Sequence, residues 1–414
     1  MILQPYLLVM TLPCYIDAQG RRYLEELWHK DLVEHLEQIA DLTLAAPVAH
    51  GLPDKERVIL LDPDKFRGRL THLDLPPCGS TKATLLALPK ILARLWAAIG
   101  RASIVHANAG GWPVSLGWFA IPMAKLRGKF TITNVESGGW RLGFKRPWKP
   151  KALLQAIMFE AGAKACVNLS DIATFTHAGY RRTMMLPWRR HRGHILSASW
   201  IEPKNIIGRA EAEAAWRKKL EGGPRPLRVV FAANLLESKG VRILLDAMKE
   251  LDRRGVAVAL DIYGKGGLLD ECAGASEALT GPASITLKGT LDYGRPFFEM
   301  LRRYDLMAVP SLSDEQPRVV YDCFSQALPV VASNTEGLVE CVTDGRDGRI
   351  VPSGDARALA DALEWAAADR ARLRDLGLNS IDVASGLTHD QMHARRARLI
   401  EEASDEVGFV ARVA

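Results

Sequence analysis

The 414-residue chain has no closely spaced cysteine pair. Its six cysteines, Cys14, Cys78, Cys166, Cys272, Cys323 and Cys341, are scattered, which argues against a zinc site or a disulfide framework and for reduced thiols. No apolar run approaches the roughly 18 to 20 residues that cross a bilayer. The best candidate, from Trp112 to Ala124, stops at Lys125. The opening Met1-Ile2-Leu3-Gln4-Pro5-Tyr6 lacks the basic head and small-residue cleavage site of a secretory leader. A cytoplasmic location is therefore expected. Internal repeats and low-complexity tracts are also absent. A hydrophobic content of 48% with 25% charged residues excludes the apolar poverty of a disordered chain, and the length predicts two domains rather than one.

The net charge of +6 is unevenly spread. Basic clusters occupy Lys125-Leu126-Arg127-Gly128-Lys129, Lys145 to Lys151, and Arg181-Arg182 through Trp188-Arg189-Arg190-His191-Arg192, all in the first half. With tryptophan beside them they suit an anionic leaflet, at about 1 kcal/mol per cation near the surface, and a solvated face accounts for them equally well. Peripheral contact with the inner face of a membrane is the expected partnership; nucleic acid is not expected.

Short apolar runs alternate with helical-period stretches, the pattern of parallel sheets covered by helices. In the first half, strands are predicted at 6–10, 42–46, 57–61, 103–107, 129–135 and 194–198, with a helix over Arg22 to Ile39. The breaker cluster Gly222-Gly223-Pro224-Arg225-Pro226 marks a boundary. Beyond it, strands are predicted at 227–233, 258–263, 285–288, 305–309 and 329–333. Val241, Leu244, Leu245, Met248 and Leu251 recur at helical spacing before Gly255 ends the helix. The last helix, around His393 to Glu406, is expected to return to the first domain.

From Leu227 the strings LRVVFAANLLESKGVRILLDAM, LDIYGKGG and ITLKGT, followed by PSLSDEQPRVVYDCFSQALPVVASNTEGLVE, resemble in order the donor-binding domain of glycosyltransferase family 4. The resemblance implies an α/β chain of two Rossmann-like domains facing across a cleft, the GT-B fold. Residues 1–200 with the returning segment 388–414 would bind acceptor, 201–226 would be a linker, and 227–387 would bind donor. It further implies a retaining glycosyltransferase that needs no metal and no cofactor beyond its co-substrate. Such an enzyme moves sugar from a nucleotide-diphosphate sugar to a glycan or lipid-linked hydroxyl in polysaccharide or glycoconjugate synthesis.

The family's paired acids fall on Asp314, beside the transferred sugar, and Asp322, on the ribose. Carboxylates accept bonds from vicinal hydroxyls and stabilise an oxocarbenium-like centre. Lys239, before the helix from Val241, is the phosphate cation. Asn234 stands where the family usually has Arg, and Arg318 is positioned to compensate. Pro317 replaces a donor-bearing glycine turn. Gly264, with Gly266 and Gly267, permits close backbone approach to a ligand or simply makes a turn. Gly289 matches the turn near the base, and Glu340 an acid near the sugar or ribose.

In the first half the resemblance fades. The stretch from Val105 to Trp112 ends a buried strand at a ligand-binding position. His106 is a candidate catalytic contact or a core histidine. Glu136 is a candidate for orienting an acceptor hydroxyl, or a salt-bridge partner of Arg141. Asp62-Pro63-Asp64 resembles a metal-binding pair of another transferase fold but lies among turn residues, so no metal site is expected. The rival readings are a nucleotide-sugar epimerase or isomerase on the same architecture, and a non-catalytic sugar- or nucleic-acid-binding module.

Overall fold

The computed structural model describes all residues except 54–56, 63, 67, 112, 142–148, 314–315 and 407–414. Asp314, the Lys145–Trp148 part of a basic cluster, and Pro63 lie outside the described residues. The chain divides into two compact units, Met1–Leu196 with the chain from Met392 onward, and Ser197–Gln391.

Ten strands build the first unit's sheet: Tyr6–Val9 (β1), Cys14–Ile16 (β2), Arg22–Glu25 (β3), Leu42–His50 (β4), Val58–Leu60 (β5), Leu70–Leu75 (β6), Ile104–Asn108 (β7), Phe130–Val135 (β8), Ile172–Phe175 (β9) and Gly193–Ile195 (β10). Its parallel part runs β6-β4-β1-β7-β8-β9-β10, while β2 pairs in parallel with the last residues of β4, Val48 to His50, and leads on antiparallel to β3 and β5. Both faces are covered, which is why the strands read as continuous apolar runs. Leu7, Val9, Val105 and Ala107 pack beneath one layer of helices, and Tyr6, Leu8 and Ile104 beneath the other, where Ala397 and Ile400 of the C-terminal helix join the core. The predicted helix over Arg22 to Ile39 is half right. Its first four residues are β3, paired antiparallel with β2 and β5, and the helix begins at Glu26.

The second unit holds six parallel strands: Leu227–Ala232 (β11), Val258–Tyr263 (β12), Ser284–Gly289 (β13), Leu306–Val309 (β14), Val330–Ser333 (β15) and Gly348–Val351 (β16). They are ordered β13-β12-β11-β14-β15-β16. The helix Val241–Arg253 buries its predicted stripe against this sheet. At roughly 1.5–3 kcal/mol for each large apolar side chain buried, that stripe is what holds the helix down.

Residues 201–226 are not a linker. They contain the helix Arg209–Glu221, whose Trp216 is only 1% exposed and donates its indole N–H to the Ala327 carbonyl at 2.9 Å. Among the described residues one helix, Thr81–Arg101, is long and apolar enough on average to cross a membrane. Its Thr84, Ile91, Leu95, Ala98 and Ile99 are nonetheless buried in the first unit.

Candidate functional site

In the second unit the order of connections reverses between β11 and β14, and loops leaving adjacent strands in opposite directions open a crevice at their carboxyl ends. A cavity of about 220 Å³ lies there, lined among others by Asn234, Lys239, Ser311, Pro317 and Arg318. Its walls are fixed by backbone. Gly240, at φ +73°, passes so close to the loop after β14 that a Cβ would sit 1.8 Å from the Pro310 carbonyl oxygen. The Leu312 N–H donates to the Ser238 carbonyl at 2.8 Å. Lys239 is thus carried at the start of the helix Val241–Arg253, whose N-terminal amides add partial positive charge to its own. Arg318 is exposed, with its guanidinium carbon 4.9 Å from the centroid of the Trp200 ring. Trp200 in turn stacks on His389, with ring centroids 5.0 Å apart.

Asp322 sits on the short helix Val319–Phe324. It is 5% exposed, is absent from the residues lining that cavity, and accepts a hydrogen bond from the Tyr293 hydroxyl at 2.8 Å. Burial first, and then the Asp322 charge, push the Tyr293 phenol far above its ordinary pKa, so it remains a donor to that carboxylate. One oxygen expected to meet ribose is therefore engaged by protein.

Gly264 is also accounted for within the protein. A Cβ there would lie 2.0 Å from the Ala233 carbonyl oxygen, so the glycine lets two loops touch. Its N–H donates to the Gly289 carbonyl at 2.7 Å, which brings those two predicted residues together. Gly289 itself is exposed at φ +74° with open space where a side chain would be. Glu340 is exposed at the end of the helix Glu336–Val339. Gln316, unremarked in the sequence, is buried and spans two elements. Its Oε1 accepts from the Ala198 N–H at 2.9 Å and its Nε2 donates to the Tyr321 hydroxyl at 3.0 Å, anchoring the turn that presents Pro317 and Arg318.

The first unit has its own reversal, between β1 and β7, and a larger cavity of about 790 Å³ at the same strand ends. Met10, Trp28, Trp140 and Phe159 give it apolar walls, and Asn108, Asn134 and Glu136 give it polar ones. Asn134 is oriented by the Thr174 hydroxyl, which donates to its Oδ1 at 2.9 Å, and it donates in turn to Glu136 Oε1 at 2.8 Å. Arg141 does not serve Glu136 as the sequence suggested. Its Nε and Nη2 bind Glu160 at 3.0 and 2.9 Å, beside the Trp140 indole at 2.9 Å. Burial alone would raise the Glu160 carboxyl, but these hydrogen bonds outweigh it and hold it below the usual carboxylate range. The aromatic walls were not legible as a site, because Trp28 lies more than a hundred positions before Trp140 and Phe159 and the three share no motif.

His106 is buried in the core of the first unit. It is 2% exposed, is bonded at Nδ1 to the Tyr6 hydroxyl at 2.8 Å, and packs at 6.0 Å from His35. Burial first, then the charges of Arg396 and His35, drive its imidazole well below the ordinary value and keep it neutral. β7 aims His106 into the sheet's second core, while its neighbour Asn108 reaches the cavity.

Comparison with known proteins bears on both units. Residues 226–369 match the family described as glycosyl transferases group 1. D-inositol 3-phosphate glycosyltransferase of Nocardia farcinica is 31% identical over 42% of this chain and 40% of its own length. Alpha-D-kanosaminyltransferase of Streptomyces kanamyceticus is 24% identical over 68% of this chain and 72% of its own. The chain thus spans less than half of the first relative and nearly three quarters of the second. The crystal structure of HepE from Anabaena in complex with UDP superposes with a TM-score of 0.64 at 13% identity, covering 97% of this chain and 100% of that one. Residues 226–369 therefore resemble the glycosyl transferases group 1 family, and the two parallel-sheet units have the GT-B fold.

Proposed function

We propose that this protein transfers a sugar from a nucleotide-diphosphate sugar, held by the second unit, to a hydroxyl of a glycan or lipid-linked acceptor held by the first, in glycoconjugate or surface polysaccharide synthesis. The observation that carries this reading is the small cavity at the β11/β14 reversal, where Lys239 and Arg318 converge at the start of a long helix. A pyrophosphate needs cations and amide donors to bind, and it needs them more as negative charge builds on it during departure. Those groups supply on protein atoms what a metal supplies elsewhere, so we assign a metal-independent reaction. That the Anabaena protein of the same fold was crystallised in complex with UDP is consistent with a nucleotide ligand.

In the proposed chemistry the acceptor hydroxyl attacks the anomeric carbon on the face the diphosphate leaves, with retention of configuration. The hydroxyl proton passes to the departing phosphate oxygen. Asp314 is assigned, from its place in the family string alone, to stabilise the developing positive charge of the sugar. Lys239 and Arg318 stabilise the leaving diphosphate, and Glu136 orients the acceptor hydroxyl.

Thermal shift of the purified chain against UDP, GDP, ADP, CDP and TDP and their common sugars tests the reading. A ligand at 100 times its dissociation constant raises stability by about 2.7 kcal/mol. No shift with any of them would overturn it. Asp314→Asn should retain nucleotide binding and lose turnover; release of an altered sugar without acceptor would identify an epimerase instead.

A further inference from the structure

One face of the first unit has an unusual composition. The helices Thr81–Arg101, Gly117–Leu126, Pro150–Leu169 and Ala178–Met184 cover the side of the sheet on which Val105 and Ala107 pack, and the short helix Pro187–Arg192 contacts the last of them. Together these five segments carry twelve Lys or Arg and a single acid, Glu160. That acid is already paired with Arg141 at 2.9 Å and Lys164 at 3.3 Å. The nearby Asp171 is taken by Lys125 at 2.8 Å. On the opposite face the helix Glu26–Gln38 alone has four acids and one lysine, so the polarity belongs to one side of the sheet.

The basic face also exposes large apolar side chains in register. On Pro150–Leu169 the exposed Leu153, Leu154, Ile157 and Met158 form a continuous ridge, because positions four apart share a face. Leu85 and Leu86 are likewise exposed on Thr81–Arg101. Lys149 and Lys151 flank the ridge, and Lys82 and Lys90 flank the leucine pair, all exposed. Trp188 stands 69% exposed among Arg189, Arg190 and Arg192. An aqueous partner needs no such leucines, and a protein groove would have to match several helices at once. A fluid surface that is anionic above and apolar beneath satisfies both features together.

We infer that this face is a docking surface for an anionic phospholipid bilayer, with the Leu153–Met158 ridge entering the acyl boundary and the lysines and arginines meeting lipid phosphates. The helix Pro150–Leu169 has two functions in this arrangement. Its outward side carries the ridge, and its inward side gives Ala152, Gln155, Ala156 and Phe159 to the 790 Å³ cavity. On the glycosyl-transfer reading, on which this last step rests, the acceptor is carried by a lipid and enters the cavity from the bilayer.

The test is co-sedimentation of the full chain with phosphatidylcholine vesicles, with and without phosphatidylglycerol. Binding to the anionic vesicles should exceed binding to the neutral ones by at least about tenfold, and should weaken as ionic strength rises. Leu154→Glu/Ile157→Glu should lower partition by at least about tenfold at an unchanged melting temperature. Should that variant fold poorly, Lys149→Glu/Lys151→Glu gives the same readout on exposed lysines. Equal partition into both vesicle types, wild-type partition of a folded ridge variant, or tight binding of single-stranded RNA with none to vesicles would each overturn the inference. Nucleotide thermal shift on the same samples separates the two proposals. A chain that binds a nucleotide diphosphate and ignores vesicles refutes the docking surface while leaving the donor site standing.

Discussion

The two sheets repeat one connection order around their reversals, and both open a cavity at the same strand ends, yet the cavities differ in kind. The second unit's is small, backed by glycine-tight backbone, and carries Lys239 and Arg318. The first unit's is several times larger, walled by aromatic rings, and carries one carboxylate, Glu136, on an asparagine-threonine support. A shared scaffold thus supplies a position for a ligand and leaves its chemistry to the loops. One cavity suits a compact polyanion, the other the broad apolar and hydroxyl-bearing surface of a sugar or lipid-linked glycan.

Lys239→Ala tests the contrast most severely. It should lower kcat/KM by about 10² to 10³ in initial-rate assays while leaving acceptor KM within about twofold. Next, Gly377→Ala should destabilise the protein by about 2 kcal/mol in urea, since its Cβ would lie 2.2 Å from the Ala327 carbonyl. That loss belongs to the second unit, so nucleotide protection should fall with it. Trp140→Ala should raise acceptor KM about tenfold with the nucleotide thermal shift unchanged. A lost nucleotide shift would break the division of labour between the cavities.

Acid should also separate the units. His106, His35 and His393 are buried in the first unit with Tyr6, Asp31 and Arg396, and burial first, then Arg396, lowers all three. The unfolded chain therefore takes up protons that the folded one does not, and stability falls as pH drops below the ordinary imidazole value of about 6.5. Melting curves between about pH 7.5 and 5.5 should show the first unit's transition moving down before the second's. The smallest effect is a gain. Ala327 has φ +54°, and Ala327→Gly should stabilise by at most about 1 kcal/mol by relieving the left-handed backbone.

Legibility followed how local the signal was. The stripe from Val241 to Leu251 repeats every turn of one helix and was read correctly. Asn234, Lys239 and Arg318 were found through an ordered string and do meet at one cavity. Arg22 to Glu25 was misread because Tyr23 and Leu24 also fit a helical period, and only pairing with Tyr15 and Ile59 decides for a strand. The roles of His106 and Asp322 depend on Tyr6 and Tyr293, partners 100 and 29 residues away that no spacing rule connects. Gln316 carries no motif of its own, yet its amide fastens from within the turn that presents Pro317 and Arg318.

The left-handed bend at Ala327 has one more consequence. Its carbonyl is turned toward the Trp216 indole and lies against Gly377, so segments on either side of the region recognised by sequence are pinned to its centre. Leu373, Leu376 and Ile381 complete the same core from beyond residue 369. The inherited block and the self-supporting body are therefore different lengths of chain. A fragment cut at 226 and 369 would strip the tryptophan and the aliphatic side chains Ile207, Leu373, Leu376, Leu378 and Ile381 from its own interior, and proteolysis of the intact protein should yield a stable piece beginning before Arg209 and ending after Ser385.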